Sequence, residues 1–344
     1  MNITVLCGGL SNERDVSLST GAGAARALRE RGHRVALVDL YLGVPELPEN
    51  PLDAYTDKID DTGAAIAETA PDLEQVKAMR PDPEVRIGPN VLTLCRAADI
   101  VFLALHGEEG ENGKLQGLLD LYGVKYTGAG SLGSALAMNK ELSKTLFRAH
   151  GVAAPEGILL EKGHTPYGNV GFPCVVKPCS GGSSVGTSVV QTPAEYAAAL
   201  DFAFRYEDHV LVERYIRGRE LTVGVMDGRA MPVIEIIPKT GFYDYKNKYQ
   251  AGATEEICPA PIGAEATARV QELAERVYGI LGLQAYARAD FLWDTETDAM
   301  YCLEANTLPG MTPTSLIPQM AAAEGYDYGQ LCEKIIEVSL KKYR

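Results

Sequence analysis

Three oxygen-bearing side chains near the C-terminus have the types and spacing of a metal site. Glu304 and Asn306 are two residues apart in a strand-like run, so both side chains point to one face. Asp290 lies on the preceding strand of the same predicted hairpin. Apolar neighbours such as Phe291 and Leu303 make a solvated sheet face a poor explanation. Carboxylate and amide oxygens are typical ligands of Mg²⁺, with Mn²⁺ as a possible substitute, in sites that also use nucleotide phosphates.

A Gly/Ser-rich loop between two predicted strands is the second chemical signal. It runs from Cys179 to Ser188 and reads Cys-Ser-Gly-Gly-Ser-Ser-Val-Gly-Thr-Ser. Glycines let backbone N–H groups approach an anion closely, and serines such as Ser184 add donors. The loop is not a Walker A motif, which places Gly-Lys-Ser/Thr at the start of a helix. Such a loop is often only a flexible turn, but the preceding Val-Val-Lys177-Pro favours phosphate binding.

The elements that must position these groups begin with a strand–helix alternation. This order predicts a parallel, doubly wound sheet, whose function lies beyond the carboxyl ends of its strands, where His106 stands. Residues 43–90 are polar and Pro-rich and indicate no chemistry. The predicted N-terminal elements are strands Ile3–Cys7, Arg34–Tyr41 and Ile100–Leu105 and helices Ser17–Gly32 and Asp72–Met79.

The remaining two thirds read as hairpins and helices. Asp227-Gly228 is a typical hairpin turn, and a polar, Tyr-rich loop at 239–258 resembles a lid. The predicted helices are Ala135–His150, Pro193–Phe204, Ala264–Gly282 and further helices at the C-terminus. The predicted strands are Pro173–Lys177, Ser184–Val190, Val210–Glu213, Leu221–Met226, Ala230–Ile237, Ala285–Trp293 and Met300–Ala305.

Composition excludes several classes of protein. The 344 residues, 46% hydrophobic, are enough for two or three compact units. A net charge of −14 without a dense Lys/Arg cluster argues against nucleic-acid binding. No run of about 18 apolar residues predicts a membrane span, and no secretory signal is recognised. Seven cysteines without CxxC spacing predict reduced thiols and a cytoplasmic location.

Six segments in order resemble the ATP-grasp fold and, more narrowly, the D-alanine–D-alanine ligase family. The resemblance covers nearly the whole chain except residues 43–90. It implies an α/β protein of three domains at 1–128, 129–212 and 213–344, the last two clasping ATP. The segments are Gly8–Ser17, Ala104–Gly107, Leu115–Gly117, Gly182–Gly186, Phe242–Tyr249 and Glu304–Thr312.

The resemblance implies a role for each matching residue in binding ATP and two Mg²⁺ ions. Asp290, Glu304 and Asn306 match metal ligands, and Glu220 matches the acid that bonds the ribose. Phosphate contacts are implied for Lys140, Lys177, Ser184 and the loop residue Lys248. Adenine contacts are implied for Glu213, Tyr215 and Ile216.

The same resemblance implies the residues that hold the amino acids. Glu13 matches the partner of the first ammonium group, and His106 lies near the first carboxylate. Glu13 is linked to Ser183 and Tyr249 in a hydrogen-bonded triad. Arg288 and the Gly310 N–H match the stabilisers of the developing oxyanion. Ser315 and Leu316 match the residues that bind the carboxylate of the second substrate.

The activity that the resemblance implies is ATP-dependent joining of two D-alanines for peptidoglycan precursor synthesis by a homodimer. A carboxylate resists attack by an amine, so conversion into an acyl phosphate supplies the leaving group. A tetrahedral oxyanion then needs aimed donors, and a lid must exclude water.

Alternatives stay open because the chain departs from the family pattern. Asn112 and Lys114 stand where the family usually has Asp and Thr, in a segment near the first substrate, which leaves the exact substrate preference open. D-serine stays a possible second substrate, whereas Tyr249 argues against D-lactate. A non-catalytic ATP-binding regulator would not need the metal triad. A Rossmann dehydrogenase fits poorly, because Gly-x-Gly-x-x-Gly is missing after the first strand.

Overall fold

The N-terminal part of the chain forms a three-stranded parallel sheet. The computed structural model describes residues 1–59, 71–164, 167–182, 185–239 and 254–344. Strands β1 (Asn2–Cys7), β2 (Arg34–Asp39) and β3 (Ile100–Leu103) lie in the order β2-β1-β3. This confirms the predicted parallel sheet, although β2 and β3 each end two residues earlier than predicted. The accompanying helices are α1 (Arg14–Glu30), α2 (Leu73–Lys77), α3 (Val91–Ala97), α4 (Glu108–Glu111) and α5 (Lys114–Leu121).

A second, antiparallel sheet carries the Gly/Ser loop. Its order is β4-β7-β5-β6, and the loop connects β5 to β6, which begins at Ser188 rather than at 184. The helix Pro193–Ala203, named α8, packs on this sheet through Ala199, Leu200 and Ala203. The elements are β4 (Gly157–Glu161), β5 (Cys174–Pro178), β6 (Ser188–Val190), α8 (Pro193–Ala203) and β7 (His209–Arg214).

The third sheet is antiparallel and five-stranded, in the order β10-β9-β8-β11-β12. The expected turn Asp227-Gly228 connects β8 to β9 with φ values of 55° and 78°. The prediction of a loop over 239–258 is wrong at its end, because residues 254–257 form strand β10, which pairs with β9. The elements are β8 (Arg219–Met226), β9 (Arg229–Pro238), β10 (Thr254–Ile257), the helix Ala264–Ile280, β11 (Tyr286–Asp294) and β12 (Ala299–Asn306).

One predicted helix is two helices in the structure. The span Ala135–His150 divides into α6 (Ser131–Met138) and α7 (Lys140–Ala149). Asn139 has extended backbone angles, and its side chain accepts a hydrogen bond from the Leu142 N–H. An asparagine that caps a new helix in this way interrupts the preceding one. The break places Lys140 at the first position of α7.

The end of the chain packs against its beginning. The helices Leu316–Ala323 and Tyr328–Leu340 share a buried core with the parallel sheet, whereas α6 and α7 share a core with the third sheet. The residues that follow β12 therefore reach the carboxyl ends of β1 and β3. The division of the chain at 128/129 and 212/213 stays a prediction.

The predicted state of the cysteines is confirmed. All seven are free thiols, of which six are buried and Cys258 is half-buried. Across the described ranges, no helix combines the length and apolarity that a membrane span requires.

Candidate active site

The predicted metal ligands meet across the β11–β12 hairpin. Asp290 pairs with Glu304, and Arg288 pairs with Asn306, so the four side chains project from one face. The Asp290 carboxylate accepts hydrogen bonds from the Thr222 hydroxyl at 2.6 Å and from the Asn306 amide at 3.0 Å. Arg288 donates two more, at 2.9 and 2.8 Å. These four hydrogen bonds fix the direction of the Asp290 carboxylate, which is 7% exposed.

This donor set fits a magnesium ion bound together with phosphate. Two carboxylates and an amide oxygen are hard ligands that leave positions for phosphate oxygens and water. The described residues contain no group of three or more His, Cys, Asp and Glu side chains suited to hold a metal. An ion here would therefore depend on Asn306 and on the nucleotide as further ligands. Sharing Asp290 with a cation requires at least one of its four hydrogen bonds, from Thr222, Asn306 or Arg288, to be given up.

A cleft of about 460 Å³ lies between the second and third sheets. Val175, Val189, Ile216, Leu292 and Leu303 give it apolar walls that suit a flat base. It brings together most of the residues predicted to bind nucleotide and metal. Those that line it are Lys140, Lys177, Glu213, Tyr215, Ile216, Glu220, Asp290 and Glu304.

Buried ion pairs position the lysines of this cleft. The Lys177 ammonium lies 2.6 Å from one oxygen of Glu213, and Lys144 pairs with the other. Burial would raise the pKa of Glu213, but Lys177 and Lys144 outweigh it and lower that pKa. Lys140 lies 3.4 Å from Glu304 and donates to the Gly181 carbonyl of the Gly/Ser loop. The cations are thus placed along one wall, as phosphate groups require.

A second, smaller cavity of about 80 Å³ adjoins this cleft. Its walls come from the segment after β1, the segment after β3, strands β11 and β12 and the loop that follows β12. Six of the predicted amino-acid site residues meet here. Those that line it are Glu13, His106, Arg288, Gly310, Ser315 and Leu316, together with the metal-site residue Asn306.

His106 fastens the end of β3 to the loop after β12. Its Nδ1 donates to the Leu308 carbonyl at 2.9 Å, so in the neutral ring Nε2 accepts from the Thr20 hydroxyl at 3.0 Å. Burial lowers the pKa of His106 against the opposing effect of Glu13. The imidazole is therefore neutral, and both of its nitrogens are used to hold the cavity wall.

Glu111 is a site residue that the sequence reasoning missed. Its two oxygens accept from the Gly107 N–H at 2.6 Å and the Leu308 N–H at 3.2 Å. Burial, reinforced by the nearby Glu13 carboxylate, raises the pKa of Glu111 to about 7. Its place five residues after His106 beside glycines was the available signal. Two adjacent carboxyl groups suit a cavity that receives an ammonium ion.

One part of the cavity lining offers backbone donors to a carboxylate. Ser315 is the N-cap of the helix Leu316–Ala323, and no side-chain hydrogen bond caps that helix. The Ser315 hydroxyl instead contacts Thr312, at 3.0 Å from its N–H and 2.7 Å from its hydroxyl. A helix N-terminus with available N–H groups attracts anions. The cavity lining therefore combines the carboxyl groups of Glu13 and Glu111 with backbone donors beside Ser315.

Gly182 joins the two cavities. It lines both of them, and a Cβ at this position would lie 3.6 Å from the carboxylates of Glu13 and Glu111. Gly107 opposite has φ 67°, and a Cβ there would come within 3.2 Å of Glu13. These glycines allow the Gly/Ser loop to approach the amino-acid site. The predicted residues Ser183, Ser184, Lys248 and Tyr249 lie outside the described ranges.

Comparison with protein families matches both ends of the chain. Residues 2–129 match the model described as D-ala D-ala ligase N-terminus, and residues 157–337 match the one described as D-ala D-ala ligase C-terminus. A D-alanine–D-alanine ligase from Pediococcus pentosaceus is 42% identical, over 100% of this chain and 99% of that protein.

Solved structures give the same likeness. A D-alanine–D-alanine ligase from Bacillus anthracis complexed with ATP superposes with a TM-score of 0.77 at 30% identity, over 99% of this chain and 98% of the other. The VanG D-Ala:D-Ser ligase from Enterococcus faecalis superposes with a TM-score of 0.74 at 26% identity, over 98% of this chain and 99% of the other. Both likenesses extend over the two cavities and the sheets that form them.

Proposed function

The chain belongs to the D-alanine–D-alanine ligase family, and we propose that it joins two D-alanines with conversion of ATP to ADP and phosphate. One structural observation carries the proposal most directly. The small cavity, whose lining combines carboxyl groups with backbone donors, adjoins a nucleotide-sized cleft, and Gly182 and the β11–β12 hairpin line both. An amino acid held there lies next to the predicted phosphate and metal groups, as phosphoryl transfer to its carboxylate requires.

In the first step, the carboxylate of the first D-alanine attacks the γ-phosphorus of ATP. A bond forms between the carboxylate oxygen and phosphorus, and the bond to the β–γ bridging oxygen breaks, releasing ADP. Glu13 receives the ammonium group and aligns the carboxylate. Lys140 and Lys177 offset phosphate charge, and Asp290, Glu304 and Asn306 would hold Mg²⁺, which neutralises charge on the transferred phosphoryl group.

In the second step, the amine of the second D-alanine attacks the acyl carbon. The tetrahedral oxyanion that forms takes hydrogen bonds from Arg288 and the Gly310 N–H. Collapse of this intermediate breaks the bond between the acyl carbon and the bridging oxygen. Phosphate leaves with that oxygen and takes up the proton that the amine nitrogen loses, which leaves the dipeptide. Ser315 and the Leu316 N–H bind the second carboxylate at the helix N-terminus. Arg288 must turn from Asp290 toward the acyl group, which loading of the metal site favours.

The alternative is a second substrate other than D-alanine. The similarity to a D-Ala:D-Ser ligase makes D-serine that alternative. The conserved chemistry of the first step is the same for both. The choice therefore depends on the second site alone.

The test is an assay of ADP, phosphate and peptide products with Mg²⁺, ATP and a panel of D- and L-amino acids. We expect ADP, phosphate and D-alanyl-D-alanine in equal amounts. Formation of AMP and pyrophosphate would contradict the acyl phosphate. A mixed D-alanyl-D-serine product in preference to the D-alanine dipeptide would favour the alternative, and absence of any dependence on a D-amino acid would favour a regulator.

Assembly and location complete the proposal. We propose a homodimer in the cytoplasm whose dipeptide enters peptidoglycan precursor synthesis, as family membership implies. Light scattering of the purified chain tests the dimer, for which a mass near 74 kDa, twice the 37.0 kDa of one chain, is expected. A mass of one chain at micromolar concentration would contradict it.

A further inference from the structure

A buried group of three charges lies behind the wall of the nucleotide cleft. Glu213 on β7 accepts from Lys144 on α7 and from Lys177 on β5. The side chains of Lys144 and Glu213 are 1% and 3% exposed, whereas that of Lys177 is 13% exposed. Among the described residues that line the cleft are Lys177 and Glu213 but not Lys144. Lys144 is therefore placed to act on a ligand only through Glu213.

The charges in this group do not cancel. One carboxylate faces two lysines, so one positive charge is in excess when both lysines are protonated. Burial and the neighbouring Lys177 ammonium lower the pKa of Lys144 to about 7, against the attraction of Glu213. Attraction by Glu213 and Glu304 outweighs burial and raises the pKa of Lys177. Of the two lysines, Lys177 at the cleft keeps its charge more firmly.

We propose that Lys144 is a positioning residue that shares the charge of Glu213 and so leaves the Lys177 ammonium available to nucleotide phosphate. This rests on the proposed nucleotide binding. Without Lys144, the full charge of Glu213 falls on Lys177 at 2.6 Å. A phosphate group then competes with a buried carboxylate for that one ammonium. Lys144 weakens this competition without touching the nucleotide.

The test is binding of ADP and of adenosine, each with Mg²⁺ and without D-alanine, by calorimetry. Lys144→Met keeps the length and apolar stem of the side chain. We expect it to weaken ADP binding roughly tenfold, the scale of a hydrogen bond to a charged group. Adenosine has no phosphate and should bind within twofold of wild type. The KM for ATP should rise by more than kcat falls.

A second substitution distinguishes the loss of charge sharing from a packing defect. Adding Glu213→Gln to Lys144→Met removes the charge that holds Lys177 but keeps an acceptor oxygen. Glu213 is itself a predicted adenine contact, so Glu213→Gln alone is the reference, and the double variant should bind ADP within about threefold of it. If Lys144 only fills space in the core, Lys144→Met weakens ADP binding as much in the Glu213→Gln background as in wild type, which overturns the proposal.

Lys342→Met is the matched control. Lys342 is a half-buried lysine, with a pKa lowered by burial to about 7, but it donates to the Gly128 carbonyl away from the cleft. We expect unchanged ADP affinity. Equal losses of ADP and adenosine affinity in Lys144→Met would overturn the charge-sharing role. A wild-type chain that binds no ADP would instead refute the proposed function itself.

Discussion

The nucleotide cleft and the amino-acid cavity are built by different means. The cleft, of about 460 Å³, lies between two antiparallel sheets whose strands β5 to β12 follow one another closely in sequence. The cavity, of about 80 Å³, takes Glu13, His106 and Ser315 from segments that are up to 302 residues apart. The cleft therefore depends mainly on hairpin register, whereas the cavity depends on how distant parts of the chain pack.

The two sites also differ in charge. The cleft lining carries both lysines, which match phosphate, and carboxylates, which match a metal ion, whereas two carboxyl groups in the cavity match an ammonium ion. The β11–β12 hairpin contributes to both, since Asp290 faces the cleft and Arg288 lines the cavity. Each site should therefore be alterable separately, except at this hairpin, where a substitution should impair both nucleotide and amino-acid binding.

The largest effect is expected at the shared hairpin. Asp290→Asn removes a charge that should offset the triphosphate and should lower turnover roughly 10³-fold while the fold persists. Phosphate release at saturating substrates measures this, with circular dichroism to check folding. The control is Glu296→Gln, an exposed acid at the turn of the same hairpin. Normal turnover of Asp290→Asn at ordinary Mg²⁺ would remove this residue from the metal site.

A change at a carboxyl group of the cavity should separate the two sites. Glu13→Gln removes the charge that receives the first ammonium group, so the KM for the first D-alanine should rise roughly 10- to 100-fold. ADP affinity should stay within twofold. Glu30→Gln, an exposed position at the end of the same helix, is the control. A parallel loss of ADP affinity in Glu13→Gln would show that the sites are not independent.

Acidity should affect the cavity more than the cleft. Burial and Glu13 raise the pKa of Glu111 to about 7, so its carboxylate forms as the pH rises through that value and adds attraction for an ammonium ion. We expect kcat/KM for the first D-alanine to rise roughly three- to tenfold between pH 6 and 8. Glu111→Gln should flatten this profile. Superimposable profiles would exclude Glu111 as the cause.

The same shift has a defined sign for stability. The pKa of Glu111 has its ordinary value of 4.5 in the unfolded chain and is higher in the folded chain, so the folded chain binds this proton more tightly. The contribution of this group to the free energy of unfolding is therefore complete below about pH 4.5 and is lost as the pH rises through 7. Denaturant unfolding between pH 5 and 8 measures how the free energy of unfolding changes with pH. Wild type should lose more of this free energy than Glu111→Gln as the pH rises.

The smallest effect concerns the choice of second substrate. Tyr249→Phe removes a hydroxyl predicted to form a hydrogen bond with Ser183. Loss of this bond should cost about 1 kcal/mol and lower the ligation rate roughly fivefold. ATP binding should persist, while ligation slows and uncoupled phosphate release increases. Acceptance of D-serine and D-lactate should increase relative to D-alanine. Dipeptide, depsipeptide and phosphate are measured together, with Tyr243→Phe in the same segment as control. Unchanged product ratios would leave Tyr249 without a role in specificity.

Regular periodicity made much of the fold predictable. Alternating strands and helices predicted the parallel sheet, and the i, i+2 spacing of Glu304 and Asn306 predicted their shared face. The break at Asn139 was missed because apolar residues continue with helical spacing on both sides of it. Strand β10 was missed because Thr254-Glu-Glu-Ile257 is polar and becomes a strand by pairing with β9.

Residues without a local pattern were harder to assign. Lys144 lies four residues after Lys140, so a shared helix face was readable. Its pairing with Glu213, 69 residues away, was not. Glu111 stood in a segment noted for its departures from the family, yet its burial between Gly107 and Leu308 depends on contact with the loop after β12.

The sequence by itself determined the family, the hairpin that carries the predicted metal ligands and the lysines beside the Gly/Ser loop. The family and the lysines follow from the resemblance of six ordered segments, whereas the hairpin follows from the period of its strands, which is set by local backbone geometry. Only the tertiary structure decided which carboxyl groups are buried together, which ring nitrogen of His106 donates, and how Glu13 comes to share a cavity with Ser315. Those outcomes depend on the C-terminal helices burying their apolar faces against the N-terminal sheet. Hydrophobic burial is non-directional, so no local pattern names the partner that covers a given face.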